Sequence, residues 1–130
     1  MSAAALPRPL VLVADDDPDI LALVCYRLER EGCEVAAAAD GEAALELALA
    51  RTPDLAVLDV MMPKLDGLEL TRRLRGHETT RSMPIILLTA RVQEPDLRRG
   101  IEAGADDYVT KPFSPQVLGE RVQAALGRYR

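Results

Sequence analysis

Five short runs, LVLVA at Leu10–Ala14, EVAAAA at Glu34–Ala39, LAVL at Leu55–Leu58, IILL at Ile85–Leu88 and DYV at Asp107–Val109, restrict what this chain can fold into. Each is cut short by polar or turn residues, and each leads into a segment of helical spacing. The first, third and fourth are apolar without alternation, as strands buried on both faces are. The second and fifth are weaker. The first helix starts at Pro18 with Asp17 as N-cap, runs to about Glu31, and carries Ile20, Leu21, Val24, Cys25 and Leu28 on one stripe before Gly32 ends it. The second starts at Asp40-Gly41, turns Ala44, Leu45, Ala48 and Leu49 inward, and stops at Thr52-Pro53. Asp66 caps the third, with Glu69 placed for a capping box, Leu70 and Leu74 inward, and Gly76 at its close. The fourth lies between about Pro95 and Ala103 with Leu97 and Ile101 as its main apolar residues. That thin face predicts the least firmly held helix. Ser114 caps the fifth, Pro115 sits in its first turn, and Leu118, Val122, Ala125 and Leu126 point inward.

Five repeats of strand then helix imply an α/β fold, a doubly wound parallel sheet with helices on both faces. Right-handed crossovers limit the topology, and the doubly wound arrangement expected for five strands is the flavodoxin-like (βα)5 one with strand order 2-1-3-4-5. A chain of 130 residues is the size of one domain. Residues 1–8 read as a loose lead-in and 9–130 as the folded unit. No apolar run approaches the ~20 residues of a membrane span, and Met1–Pro9 has no apolar core of signal-peptide length. The chain therefore reads as cytoplasmic and not membrane-bound. Cys25 and Cys33 match no metal or redox spacing and read as reduced structural residues. A net charge of −5 argues against nucleic-acid contact by this domain.

Function follows from where the polar residues fall. Asp15 and Asp16 follow strand one, Asp59 follows strand three, Thr89 strand four and Lys111 strand five. All lie at the carboxyl edge, where open α/β sheets bind ligands. Strands one and three are neighbours in the predicted order, ~4.8 Å apart, so Asp15, Asp16 and Asp59 must crowd together. Three carboxylates this close repel unless a cation or proton neutralises them. Hard oxygen donors with room for water suit Mg²⁺ or Mn²⁺. Aspartates that merely end strands or cap turns would leave the crowding unexplained.

The segments VLVADDDPDI, VLDVMMPKLDG, ILLTA and GADDYVTKPF, in this order and spacing, resemble the receiver domain of two-component response regulators over about Pro9 to Arg128. The resemblance is closest to receivers that precede winged-helix DNA-binding domains. It implies that Asp59 is the phosphoacceptor and that Asp15 and Asp16 are the acidic pair. Asp16 would bind the metal directly and Asp15 mainly through water, with the Met61 backbone carbonyl as a further ligand. It also implies that Thr89 is the switch hydroxyl, Tyr108 the switch aromatic, and Lys111 the active-site lysine, carried on a cis Lys111-Pro112 bond. The implied function is a signalling switch that takes a phosphoryl group from a histidine kinase or a histidine phosphotransfer protein. It is not a turnover enzyme. Its output face is helix four, strand five and helix five.

Met61 and Arg91, two residues after Asp59 and Thr89, stand where the family tunes water access; their bulk implies slow autodephosphorylation. Receivers of this kind often form homodimers through the output face with three charge pairs. Asp107 and Arg121 match one pair, whereas Leu97 with Val117 and Glu102 with Gln123 replace the other two. Two readings from other classes compete. A flavin- or nucleotide-binding domain of the same fold would need glycines and backbone amides where this chain has DDDPD. A metal-dependent phosphatase would need a substrate-covering cap segment, and none is evident.

Overall fold

The computed structural model describes residues 8–90 and 94–127, with side chains from Arg98 onward in the second stretch. Strands and helices alternate throughout: β1 (Leu10–Ala14), α1 (Pro18–Arg30), β2 (Glu34–Ala38), α2 (Gly41–Arg51), β3 (Leu55–Asp59), α3 (Gly67–Arg75), β4 (Ile85–Thr89), α4 (Glu94–Ala103), β5 (Asp107–Thr110) and α5 (Pro115–Ala125). The five strands form one sheet in the order β2-β1-β3-β4-β5, all parallel. The predicted flavodoxin-like (βα)5 arrangement is the one observed.

Alternate strand residues feed two separate cores, because successive side chains leave a strand on opposite faces. Val11, Val13, Leu55, Val57, Ile86 and Leu88 meet Val24 and Leu28 of α1 and Leu118 and Val122 of α5. Leu12, Leu58, Ile85 and Leu87 meet Ala44 and Ala48 of α2, Leu70 and Leu74 of α3, and Ala103 of α4. Val11–Ala14, Leu55–Leu58 and Ile85–Leu88 are buried on both sides of the sheet, which is why these stretches are apolar without interruption.

Two sequence expectations about helix faces are corrected. Leu49 is 37% exposed, and the buried residues of α2 are Gly41, Ala44 and Ala48. On α4, Ile101 is 66% exposed; Gly100 and Ala103 face the sheet instead, and Leu97 lies outside the described side chains. In both helices the sheet is approached so closely that the smallest residues win the inward positions. The capping box at α3 forms only in half. Asp66 accepts from the Glu69 amide at 2.8 Å, while the Glu69 carboxylate turns to Arg72 and Arg73. Strand ends also move slightly: Asp59 and Thr89 are the last residues of β3 and β4 rather than the first beyond them, and Ala39 falls outside β2.

Candidate functional site

The run Asp15-Asp16-Asp17 divides into three roles. Asp15 follows β1 directly; its amide donates to the Ala38 carbonyl at 3.1 Å, and its side chain is wholly buried. One carboxylate oxygen, Oδ1, accepts from the Asp17 amide at 2.9 Å. Asp16 is exposed. Asp17 caps α1, accepting from Asp19 and Ile20, which satisfies amides that the first helical turn leaves unpaired.

Asp59 closes β3 at 4% exposure. The Met61 amide donates to its Oδ1 at 3.4 Å. The loop beyond is held by the Val60 amide on the Leu88 carbonyl at 3.0 Å and by the Gly67 amide on the Val60 carbonyl at 2.9 Å. A Cβ at position 67 would run into the Asp59 carbonyl oxygen. Glycine there lets α3 begin directly beneath Asp59, a use that reading Asp66-Gly67 as a helix start missed. Lys111 arrives from the opposite side. Its amide donates to the Thr89 carbonyl at 2.7 Å, and the Lys111-Pro112 bond is cis, as the resemblance implied. Its ammonium stands 3.0 Å from Asp15 Oδ2 and 3.2 Å from Asp59 Oδ1.

These charges are unbalanced. Carboxylate oxygens of Asp15, Asp16 and Asp59 lie within 4.8 Å of one another, against the single ammonium of Lys111. The Asp15 Oδ2 atom is buried and accepts no aligned hydrogen bond; its contact with Lys111 is an ion pair only. Burial, and then the charge of Asp15, push the Asp59 pKa up from the ordinary 3.8 to about 6, although Lys111 and the Met61 amide pull the other way. Burial alone would lower the Lys111 pKa, but the two aspartates outweigh it and the net shift is upward. Three carboxylates gathered against one ammonium, all hard donors and two of them buried, fit a divalent cation such as Mg²⁺ or Mn²⁺. Met61, two residues beyond Asp59 in the same loop, projects a side chain that is 73% exposed.

Thr89 and Tyr108 are both half-buried, on the neighbouring strands β4 and β5. They line a cavity of about 430 Å³ under α4, together with Met61, Leu68, Leu87 and Gly100. The structure thus brings Asp15, Asp16, Asp59 and Lys111 to one point, with Thr89 and Tyr108 on a cavity that also reaches Met61. Arg91 lies outside the described residues. Neither cysteine is in a disulfide, and Cys33 is buried; the Cys25 thiol is pushed up by burial and by Glu29, which makes it a poor nucleophile.

Comparison with known proteins decides what kind of domain this is. Residues 11–123 match the response regulator receiver domain. The chain belongs to that family. It is similar to the alkaline phosphatase synthesis transcriptional regulatory protein PhoP of Bacillus subtilis, 51% identical over 118 residues that make up 91% of this chain and 48% of that protein. The receiver therefore spans about half the length of the curated relatives it matches. Among solved structures it resembles the chemotaxis response regulator CheY4 of Vibrio cholerae, with a TM-score of 0.88, 32% identity, and coverage of 92% of this chain and 99% of that one. It also resembles the receiver domain of the sensor histidine kinase PA1611 of Pseudomonas aeruginosa, with a TM-score of 0.86, 32% identity, and coverage of 93% and 99%. That second structure holds a magnesium ion in its active-site cleft. The domain is a signalling receiver of two-component systems, and the flavin- or nucleotide-binding alternative finds no support. Among the described residues no helix is long and apolar enough to cross a membrane.

Proposed function

We propose that Asp59 is the phosphoacceptor of this receiver and that Lys111 and Thr89 serve the transfer. The observation that carries the reading is the Lys111 ammonium between the two buried carboxylates of Asp15 and Asp59, with a third carboxylate, that of Asp16, beside them. An Asp59 oxygen attacks phosphorus, the P–N bond to the donor imidazole breaks, and the imidazole leaves with its electron pair. Such a transfer needs positioning and charge stabilisation more than covalent help. Asp15, Asp16, Asp59 and the Met61 carbonyl would hold Mg²⁺ or Mn²⁺, and the bound ion would offset carboxylate repulsion and neutralise charge on the moving phosphoryl oxygens.

Lys111 supplies a compact positive charge on a flexible stem, able to leave Asp59 for a phosphoryl oxygen. Thr89 lies on the strand beside Asp59, where its hydroxyl can turn to donate to another oxygen. The Tyr108 ring then has room in the cavity beneath α4. The output face of α4, β5 and α5 would change with it, by population shift between two states.

Receiver domains of response regulators accept phosphate from histidine kinases; the donor here is such a kinase or a histidine phosphotransfer protein. Residues 9–130 form the receiver, which works in the cytoplasm and acts on an output domain or partner. It phosphorylates itself from small-molecule donors and loses phosphate slowly.

Intact mass after incubation with acetyl phosphate and Mg²⁺ tests the assignment. One phosphoryl group on the wild-type chain is expected, absent from Asp59→Asn and lost with chelator. An equal adduct on Asp59→Asn would overturn it.

A further inference from the structure

The turn between β2 and α2 supplies no carboxylate to the site, yet it touches both loops that do. Before α2 begins, the Ala38 carbonyl accepts the Asp15 amide at 3.1 Å. That bond anchors the backbone of the buried carboxylate just where β1 ends. Three residues later, Gly41 is buried at the start of α2, and its amide reaches the Pro63 carbonyl at 3.4 Å. A Cβ at position 41 would run into the Leu65 carbonyl oxygen and stand 2.6 Å from the Leu65 Cβ. The obstacle is backbone, so a side chain there could be accommodated only by moving the loop. The neighbouring Asp40 carboxylate caps α2 at the Ala43 amide, 2.8 Å away, and lies 3.7 Å from the Lys64 ammonium. Lys64 itself is held at φ 70°, a left-handed conformation uncommon outside glycine.

The segment pressed against Gly41 is the one that runs from Asp59 through Met61 to Leu65. It is tied at one end by the Val60 bonds to Leu88 and Gly67 and toward the other by the Gly41 amide on the Pro63 carbonyl, and the Leu65 amide folds back on that same carbonyl at 2.7 Å in a tight local turn. A push at Leu65 therefore passes along a short, tethered stretch to the Met61 carbonyl and to Asp59. The structure assigns to Gly41, with the turn Ala38–Gly41 around it, a positioning role: it sets the spacing between the Asp15 loop and the Asp59–Met61 loop, and hence the affinity of the site for a divalent cation. This rests on the reading of Asp15, Asp16, Asp59 and Met61 as the metal site.

Mn²⁺ binding, followed by the electron paramagnetic resonance of the free ion, tests the role. Gly41→Ala is expected to keep the wild-type far-ultraviolet circular dichroism and to weaken Mn²⁺ binding at least fivefold. Val122→Ala removes a core methyl pair on the other face of the sheet and serves as the control; it is expected to lower stability while leaving the Mn²⁺ Kd within twofold of wild type. A folded Gly41→Ala chain with wild-type affinity would overturn the inference. If Gly41→Ala does not fold, the wild-type chain decides. Coupling is reciprocal, so Mg²⁺ should shift the amide resonances of Gly41 and Leu65 well beyond those of Ala48–Arg51 at the far end of α2. Equal, negligible shifts in both places would overturn it. Failure of the wild-type chain to bind Mn²⁺ at all would remove the metal-site reading and this inference with it.

Discussion

Asp59 is held at an uncomfortable charge. Its pKa of about 6 in the metal-free site means that the folded chain binds a proton more readily than the unfolded chain, in which the carboxyl keeps its ordinary 3.8. The stability that this proton confers is present below 3.8 and is lost as pH rises through about 6. Metal-free stability from this group should therefore fall between pH 4 and 6.5. Asp59→Asn should flatten that dependence and raise stability at pH 7 by about 1–2 kcal/mol. That is less than the ~3 kcal/mol the shift itself represents, because Lys111 loses a partner. Urea unfolding at several pH values measures both effects. The same proton blocks attack, so at low Mg²⁺ the rate of phosphorylation by acetyl phosphate should drop as pH falls through about 6. Met61 is a second residue with a readable effect. Its side chain is apolar and exposed; if, as proposed, Asp59 carries the phosphoryl group two residues away, Met61→Asn should speed phosphate loss severalfold in a phosphate-release assay. An unchanged rate would sink the proposal that this side chain slows hydrolysis.

Each element end shows a local solution whose cost can be measured. Helix α2 ends on Thr52 at φ 43°, ψ 69°, with its amide on the Ala48 carbonyl. A β-branched residue is strained in the left-handed region, where glycine is not. Thr52→Gly should therefore stabilise the fold by about 1 kcal/mol, read as a higher urea midpoint. Helix α3 ends on Arg75, whose guanidinium donates to the carbonyls of Gly104, Thr80, Arg81 and Met83 and pairs with Asp106 at 2.9 Å. Asp106 Oδ2 in turn accepts the Ile85 amide at 2.8 Å. One planar cation thus ties α3, the entry to β4 and the α4–β5 turn together at the sheet edge opposite the site. Arg75→Ala should cost about 2–4 kcal/mol. Arg75→Lys should recover little of it, because an ammonium cannot span five acceptors. Phosphorylation by acetyl phosphate, assayed well below the melting temperature, should be unaffected.

At the scale of the whole molecule, the surface of α4, β5 and α5 sets how the proposed output face would meet another chain. Arg121 Nη1 lies 2.8 Å from each Asp107 carboxylate oxygen within one chain, so the pair that the resemblance offered for dimerisation is already satisfied internally. Exposed Ile101 and Val117 flank it. Exchanging an internal ion pair for one between chains gains little, since exposed pairs are worth about 0–1 kcal/mol. A dimer through α4, β5 and α5 would have to draw on apolar contact instead. In sedimentation equilibrium, Val117→Asp and Ile101→Asp should therefore weaken any phosphorylation-dependent association more than Arg121→Ala does. The opposite ranking would restore the charge-pair picture.

The sequence alone determined the architecture and which polar residues gather at one edge of the sheet. Strand burial and helix periodicity are local signals, five strand–helix units imply a parallel sheet, and crossover handedness limits the orders its strands can take. Residues at strand ends must gather at one edge, so Asp15, Asp16, Asp59, Thr89 and Lys111 could be placed there before any coordinates. Tertiary structure decided whatever depends on distance between elements remote in sequence. It buried Asp15 rather than Asp16 and placed the ammonium between Asp15 and Asp59. It turned Glu69 toward arginines instead of its own cap, and it left Leu49 and Ile101 outside because α2 and α4 sit too close to the sheet for them. It also set Gly41 against Leu65, where a turn residue became a spacer. A sequence records which side chains are available along each element; how closely two elements approach is settled only when all of them pack at once.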